Sequence, residues 1–536
     1  MRACLTASFA VHLEFAPSLP LERQSRQTIA EGRVLQIMEI QTETASKEEQ
    51  SRSLTAPALY VAFAILASGL IVYSQTMAFH WDEGFHILTA YLIRLGKRPY
   101  LDFFFPQTPL NAYWNAVWLA ISGSSWRAVH AVAALATVAS VALIGQYLYS
   151  LFPDSRWKPA AAFAALALFG LHSLVWEYGT ISQAYALCLL LVVSAFRAAV
   201  AAVDRPNARM SALAGMLAGA AACSSLLTAA VSAVLLIWMW LNSRAGNRWL
   251  KAAAFVAGAL VPCLPVVVLF SQGPHKVVFD ILKYHSIYRR VEWPGATAHD
   301  IGIVTDWING SQSLLLVLLA AAGLAFGRKA GFDRPRQPEF TLCVWLVLAV
   351  GAQNIFAHPT FPQYYVFLIP FLTVLGTIGF YVLSLRLMEN RDRPRAPVIL
   401  LVGIAALCLG NSIYNDRDTY TWRNLERVAA KVKQVTPKGA ALLAPEQFYL
   451  LARWPVPPGM EHDDAHKLQL GPAESEKLHI VPSAEVDRQI KTGDYATMVS
   501  CDDDRTSEVA GWNVYAQKAE YGECTVFWQW TKKAPK

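Results

Sequence analysis

The sequence predicts an α-helical polytopic membrane protein with a small α/β soluble domain at its C terminus. Of the 536 residues, 54% are hydrophobic and only 16% are charged, whereas a soluble protein usually carries about a quarter charged residues. Mean hydropathy is +0.31. Long apolar runs recur as far as residue 411, and the polar remainder mixes helix-like and strand-like stretches.

Eleven apolar runs are candidate transmembrane helices, although several are shorter than the roughly 20 residues that a bilayer core needs. They are 56–78, 126–150, 159–175, 183–203, 208–223, 225–241, 250–271, 311–327, 340–356, 364–385 and 397–411. The segment 108–123 is shorter still and rich in Trp, Tyr and Asn, so we expect it to lie on the outer membrane surface as an amphipathic helix.

The distribution of Lys and Arg predicts the orientation. With 108–123 left out and the N terminus inside, the loops 152–159, 197–209, 242–251, 327–339 and 386–395 are all basic, as cytoplasmic loops are. The net charge of +7 therefore belongs to a membrane protein, and no nucleic-acid partner is expected. We expect a multi-pass protein of the bacterial inner membrane.

Three parts follow from this topology. We expect residues 1–55 to form a disordered cytoplasmic tail, residues 56–411 a transmembrane domain with a first outer loop at 79–125, and residues 412–536 a periplasmic or extracellular domain. In that domain 419–435 has helical periodicity, and 440–444, 495–501 and 524–530 read as strands. Cys501 and Cys524 can pair in an oxidising compartment, and two free buried thiols are the alternative.

The first outer loop contains two adjacent carboxylates, Asp82 and Glu83, at the start of a helix that ends at Gly96. Carboxylates favour the positive end of a helix, so a structural cap explains the pair without catalysis. Lys97 and Arg98 follow this helix. They can anchor the chain to lipid headgroups or hold the phosphate of a lipid-linked substrate.

The other outer segments add polar groups next to aromatic ones. Their candidate binding residues are Glu177 in one turn, His285, Arg289 and Arg290 in the loop 272–310, and His358, Gln363 and Tyr364 in a late turn. Arg suits a phosphate group, although aromatic and basic residues also line lipid-facing belts. We expect these groups to meet in a cavity at the outer leaflet. The spacing of His and Cys residues suggests no metal site, and we expect no cofactor.

The order of these features resembles the GT-C superfamily of polytopic glycosyltransferases. It is most similar to the bacterial branch with protein O-mannosyltransferases, aminoarabinose transferases and rhizobial galacturonosyltransferases. The resemblance rests on "WDEGFHILTAYLIRLGKRPYLDFFFPQTPLNAYWNAVWLAISG" (81–123) and, more weakly, on "HPTFPQYYVFLIP" (358–370). It covers roughly residues 56–411.

The resemblance implies an enzyme that takes a sugar from a polyprenyl-phosphate donor at the outer face and inverts its anomeric carbon. Asp82, with Glu83 beside it, would be the general base for the acceptor hydroxyl of a glycolipid, glycan or protein. Lys97, Arg98, Arg289 and Arg290 would stabilise the departing lipid phosphate.

The chain departs from the aminoarabinose transferases at two places. Their Asp in the second outer turn is replaced by Glu177, and their Lys in the next turn is replaced by Ser224 and Ser225. Oligosaccharyltransferases of the superfamily use a divalent metal, whereas the sequence here has no clear acid cluster, so we expect a metal-independent reaction. The alternative functions are a transporter or flippase of a lipid-linked saccharide and a lipopolysaccharide ligase or polymerase.

Overall fold

The computed structural model describes residues 57–77, 82–152, 156–288, 295–327, 337–387, 394–417 and 421–531. By its internal contacts the chain divides into Met1–Val61, of which only 57–61 are described, and Ala62–Lys536. Every contact discussed below lies within the second unit.

Sixteen helices make up the apolar part of the described chain. In chain order they are α1 (Pro57–Thr76), α2 (Glu83–Arg94), α3 (Leu110–Ile121), α4 (Trp126–Leu151), α5 (Trp157–Gly170), α6 (Ser173–Tyr178), α7 (Tyr185–Asp204), α8 (Arg209–Ser224), α9 (Leu226–Asn242), α10 (Arg248–Gln272), α11 (Pro274–Val278), α12 (Ala296–Asn309), α13 (Ser311–Phe326), α14 (Gln337–Phe356), α15 (Pro362–Leu387) and α16 (Arg395–Asn415). A π-helical segment, Phe279–Tyr288, continues α11.

Seven of these helices are long and apolar enough to cross a membrane: α1, α4, α7, α10, α14, α15 and α16. The number becomes eight if α12 and α13, which meet at an angle of 72°, form one broken span. The predicted multi-pass helical fold is confirmed, but the predicted count of eleven is not. The reason is local: several apolar runs end early, as α5 does at Gly170, so α5 and α9 are apolar but shorter than the bilayer core requires.

Small residues bring α8 and α10 into close contact. A Cβ added at Gly215 would overlap the carbonyl oxygen of Phe255, and one added at Gly219 would overlap that of Ala259. Because both contacts advance by four residues along each helix, α8 and α10 run parallel. In a lipid bilayer the hydrophobic effect does not drive helices together. Helices there usually associate through close backbone contact at small residues.

The helix α2 ends as its sequence predicts. Gly96 has a φ of 86°, which glycine adopts without steric cost. The backbone N–H of Lys97 then donates to the carbonyl of Leu92 at 3.0 Å, which completes a Schellman-type C-terminus. This turn directs the chain from α2 into the loop that leads to α3.

The C-terminal part contains a four-stranded sheet with short helices. Its elements are α17 (Trp422–Val435), β1 (Leu442–Leu443), α18 (Glu446–Ala452), α19 (Pro472–Lys477), α20 (Ser483–Thr492), β2 (Thr497–Ser500), α21 (Asp503–Trp512), β3 (Tyr515–Tyr521) and β4 (Cys524–Trp530). The strand order is β1-β2-β4-β3, and only the β1–β2 pair is parallel. The predicted α/β character is confirmed.

Two features of this sheet bear on the sequence predictions. The three predicted strands correspond to β1, β2 and β4, whereas β3 was not predicted because its residues, "YAQKAEY", are mostly polar and exposed. In the structure a disulfide joins Cys501, directly after β2, to Cys524, the first residue of β4. The bridge therefore closes the end of the antiparallel β2–β4 pair.

Candidate active site

The two adjacent carboxylates at the start of α2 lie in opposite environments. Asp82, the N-cap residue of α2, is exposed, whereas Glu83 is completely buried. Successive residues at a helix start point about 100° apart, so one acid can face outward while its neighbour faces the bundle. The two carboxylates are adjacent in sequence, but the fold gives them different surroundings.

One oxygen of Glu83 accepts every hydrogen bond made to its carboxylate by the described residues. The indole N–H of Trp126 donates to Oε1 at 2.9 Å and the backbone N–H of Ser182 donates at 2.6 Å. The Ser182 hydroxyl and the Nε2 of His130 also contact Oε1. Because Trp126 and His130 are four residues apart, they share one face of α4.

The surroundings of Glu83 favour its charged form. Burial by itself would raise the pKa of this carboxyl, but the charge of His130 and the hydrogen bonds from His130 and Ser182 outweigh burial, and the pKa is lowered. A buried carboxylate keeps its charge only when it is paired and hydrogen-bonded. Neither His130 nor Ser182 was among the predicted site residues, because nothing in their sequence context marks them.

Glu177 and Asp82 both lie close enough to Tyr178 for their charges to act on it. The pKa of Tyr178 is raised first by burial and then by the charge of Glu177, a hydrogen bond with Glu177, and the charge of Asp82. Asp416, just after α16, is a third acid in this group, since its pKa is raised by burial and by the charge of Glu177. Sequence analysis did not identify Asp416.

The predicted phosphate-binding pair lies at the opposite end of α2. Arg98 forms an exposed ion pair with Asp102 at 2.9 Å and donates to the side-chain oxygen of Gln272 at 3.1 Å. Lys97 is exposed. Twelve helical residues at about 1.5 Å each separate this pair from the carboxylates by roughly 18 Å.

His285 lies against the loop between α2 and α3. Its Nε2 is 2.6 Å from the carbonyl oxygen of Pro106. The neighbouring Asp280 is buried and accepts a hydrogen bond from the backbone N–H of Phe105 at 2.9 Å, and burial raises its pKa well above the ordinary value. The predicted residues Arg289 and Arg290 lie outside the described residues.

The late turn before α15 is held by an acid that sequence analysis missed. Asp300 of α12 contacts Nδ1 of His358 and accepts the backbone N–H of Thr360 at 2.7 Å. Gln363 and Tyr364 are buried in the first turns of α15.

Aromatic rings connect this turn to the acid group. Tyr178 lies edge-on to Tyr185 with ring centroids 5.5 Å apart, and Tyr185 lies 5.7 Å from Phe367. Phe367 belongs to the same 3₁₀-helical segment at the start of α15, Pro362–Leu368, as Gln363 and Tyr364. The structure therefore brings this turn beside the segment that carries Glu177.

The C-terminal domain covers the first turn of α2. The His462 ring stacks on Phe85 with centroids 4.5 Å apart and an interplanar angle of 11°. A Cβ at Gly84 would lie 2.5 Å from the amide oxygen of Gln447, so glycine permits this close approach. Sequence analysis left the role of this domain open, and the structure places it against the helix that follows Asp82.

Glu446 gives this contact region a predicted pH dependence. Burial, followed by the charge of Asp463, raises the pKa of Glu446 from 4.5 to about 8. The folded protein therefore holds a proton that the unfolded chain releases, and the free energy of unfolding falls as pH rises through this interval. We expect Glu446 to contribute a decrease in the thermal unfolding midpoint of the purified protein between about pH 5 and about pH 8.

Glu446→Gln should remove part of that decrease, because an amide oxygen still accepts from the Asp463 backbone N–H, a 2.8 Å bond, but does not titrate in this range. The matched control is Glu508→Gln, which changes an exposed carboxylate of α21. An unchanged slope in Glu446→Gln would contradict the assignment.

Among the described residues no group of three or more His, Cys, Asp or Glu side chains has the arrangement of a metal site. The chemical resources of the region are an exposed carboxylate at a helix start, two further acids beside it, and aromatic side chains. Such a region can accept a proton from a hydroxyl group and contact a sugar ring.

No protein-family model matches the chain, and no curated protein matches it. Several solved structures match the fold of this chain, including two of one protein. ArnT from Cupriavidus metallidurans bound to undecaprenyl phosphate is 14% identical, with a TM-score of 0.62 over 88% of this chain and 98% of that chain. The same protein in the apo state is 14% identical, with a TM-score of 0.63 over 88% of this chain and 98% of that chain. These matches show that the chain shares the fold of ArnT, one of the aminoarabinose transferases that the first-loop sequence resembles.

Proposed function

We propose that this protein is a membrane glycosyltransferase that moves a monosaccharide from a polyprenyl-phosphate donor to an acceptor. The observation that carries the proposal is the shared fold with ArnT, since one of the two structures is bound to undecaprenyl phosphate. The match covers 88% of this chain, a larger share than residues 1–411 make up, so it extends into the C-terminal domain. The acid group at the start of α2 supports the same reading.

The proposed reaction is a single displacement with Asp82 as general base. The acceptor hydroxyl oxygen attacks the anomeric carbon from the side opposite the lipid phosphate. A carbon–oxygen bond to the acceptor forms while the bond to the phosphate oxygen breaks, and the anomeric configuration inverts. Asp82 takes the hydroxyl proton, and the lipid phosphate leaves with the bonding electron pair. Because Asp82 is exposed, a substrate hydroxyl can reach it.

The leaving phosphate needs cationic partners, and Lys97, Arg98, Arg289 and Arg290 remain the proposed ones. Arg98 already has Asp102 as a partner, so binding a phosphate there means exchanging one anion for another. Sugar contacts are proposed for Glu177, His285, His358, Gln363 and Tyr364. The side chain of His358 is oriented by Asp300.

We place this reaction at the outer face of the bacterial inner membrane. The basic loops support a cytoplasmic N terminus, and the Cys501–Cys524 disulfide supports an oxidising compartment for the C-terminal domain. The acceptor is then a glycolipid, glycan or protein on that side.

Mass spectrometry of the glycolipids and envelope glycans of a deletion strain tests the proposal. We expect one monosaccharide to be missing from an envelope molecule and restored when the gene is returned. Accumulation of a complete lipid-linked glycan would indicate a flippase instead. Loss of an entire glycan chain from its acceptor would indicate a ligase or polymerase.

A further inference from the structure

We propose that Glu83 acts as a positioning residue that holds Asp82 beside Glu177. Together with Trp126, His130 and Ser182 it forms what we call the Glu83 clamp. The inference rests on the proposed function, because it concerns which first-loop carboxylate touches substrate. It assigns Glu83 a different role from that of a second catalytic acid.

The burial of Glu83 excludes direct contact with a substrate in this structure. Its side chain has no exposed surface, and Oε1 already accepts bonds from two side-chain N–H groups, a hydroxyl and a backbone N–H. Oε2 has no hydrogen-bond partner among the described residues and is itself buried. A carboxylate held this tightly can act only through the segments that it connects.

The His130 ring joins Glu83 to α1. Nδ1 of His130 is 3.2 Å from the carbonyl oxygen of Ser74, which can only accept, so Nδ1 donates in this contact. Nε2 of the same ring contacts Oε1 of Glu83. The clamp is therefore a buried histidine–carboxylate pair with one further indole and one serine as donors.

A buried ion pair is weak evidence for stability, because desolvation of both ions offsets their attraction. Well-packed apolar residues often serve stability better. An ion pair with several hydrogen-bond donors does fix one geometry, because breaking any of these hydrogen bonds leaves a buried charge unsatisfied. The Glu83 clamp is therefore better explained by its effect on the position of Asp82 than by a contribution to the stability of the protein.

The connected segments are the ones that carry the acid group. Glu83 is the residue after Asp82, and Ser182 lies five residues after Glu177. The bonds from Ser182 fix this turn to the first turn of α2, and α4 holds both from the bundle side. The indole N–H of Trp422 also donates to the Ser74 carbonyl at 2.9 Å, so the C-terminal domain meets the clamp at His130.

Three variants test the clamp in the full chain: Glu83→Gln, His130→Gln and the double variant. Each single change alters only one partner of the His130–Glu83 pair, and we expect about 100-fold less transfer per folded molecule, the typical effect of misplacing a catalytic group by about 1 Å. The double variant replaces the ion pair by two amides that can still hydrogen-bond, so we expect it to regain most of the activity.

Transfer is read as restoration of the missing envelope sugar in the deletion strain, normalised to folded protein. Affinity for undecaprenyl phosphate, measured on the purified protein, should stay within about twofold, because positioning affects the chemical step and not lipid binding. Ser182→Ala removes the hydroxyl donor to Glu83 and keeps the backbone N–H, so it should lower transfer by a smaller factor. This variant tests the clamp if Glu83→Gln and His130→Gln do not fold.

Two results would overturn the clamp. If the double variant is as inactive as Glu83→Gln while folding normally, the reaction needs the Glu83 carboxylate itself, and the positioning role is refuted. If the single variants transfer normally per folded molecule, the clamp is only structural. Failure of the proposed function looks different, since the wild-type gene would then restore no sugar at all.

Discussion

Asp82→Asn is expected to lower sugar transfer by about 10²- to 10⁴-fold, the usual contribution of a general base. Asparagine keeps the size and the hydrogen-bonding oxygen of the side chain. Its amide, however, cannot take up the proton that the hydroxyl group of the acceptor molecule loses. Because Asp82 is exposed and lies outside the Glu83 clamp, the variant should insert and fold like the wild type. The measurement is restoration of the envelope sugar in the deletion strain, with protein quantified in the membrane fraction.

The matched control is Asp102→Asn. This change also removes a first-loop carboxylate, but Asp102 lies at the far end of α2, where it pairs with Arg98. We expect it to retain or raise transfer, because it removes the anion that competes with the lipid phosphate for Arg98, and because an exposed ion pair contributes only about 0–1 kcal/mol to stability. Full transfer by Asp82→Asn would refute Asp82 as the base, and equal loss in both variants would point to loop charge instead of proton transfer.

Gly215→Ala is expected to destabilise the membrane part by about 1–3 kcal/mol, as overpacking typically does. The added methyl group would overlap the carbonyl oxygen of Phe255 and lie close to its carbonyl carbon and Cα. These are backbone atoms, so α8 and α10 must separate and their other close contact, at Gly219, must loosen. The measurement is the thermal unfolding midpoint of the detergent-purified protein.

Gly403→Ala is a control for which we expect the opposite change in stability. Gly403 lies within α16, and nothing approaches within 4 Å of the position that its Cβ would occupy. Alanine is favoured over glycine in a helix by up to about 1 kcal/mol, so this variant should unfold at the same or a higher temperature. If Gly215→Ala behaves in the same way, the two helices do not rely on backbone contact.

The first loop shows how far sequence patterns can predict a site. The spacing of Phe85, Leu88 and Leu92 predicts α2, and Gly96 predicts its end, because helix periodicity and C-terminal capping are local properties. The same local reasoning cannot say which neighbouring acid is buried. That depends on where α4 and the 175–182 turn lie, and these are distant in sequence.

The residues that sequence analysis missed share this property. His130 and Ser182 lie 47 and 99 positions from Glu83 in sequence, and Asp300 lies 58 positions before His358. A single His, Ser or Asp has no pattern that distinguishes it from a helix surface residue. Their partners appear only when the bundle brings the segments together.

The points at which the apolar helices end or bend were also visible only in the structure. Hydropathy identifies apolar runs, but it does not tell a straight span from a helix that ends or bends, as α12 and α13 do at Gly310. The π-helical turn at the end of α5 is a similar case.

By itself, the sequence determined the class of this protein: a helical membrane part, a C-terminal α/β domain and a polar first loop with two acids. These are properties of composition and short-range periodicity, which need no knowledge of distant contacts. Only the tertiary structure decided that Asp82 is exposed while Glu83 is enclosed by α4 and Ser182, and that the C-terminal domain covers α2. The physical reason is that burial and hydrogen-bond partners are set by segments far apart in the chain.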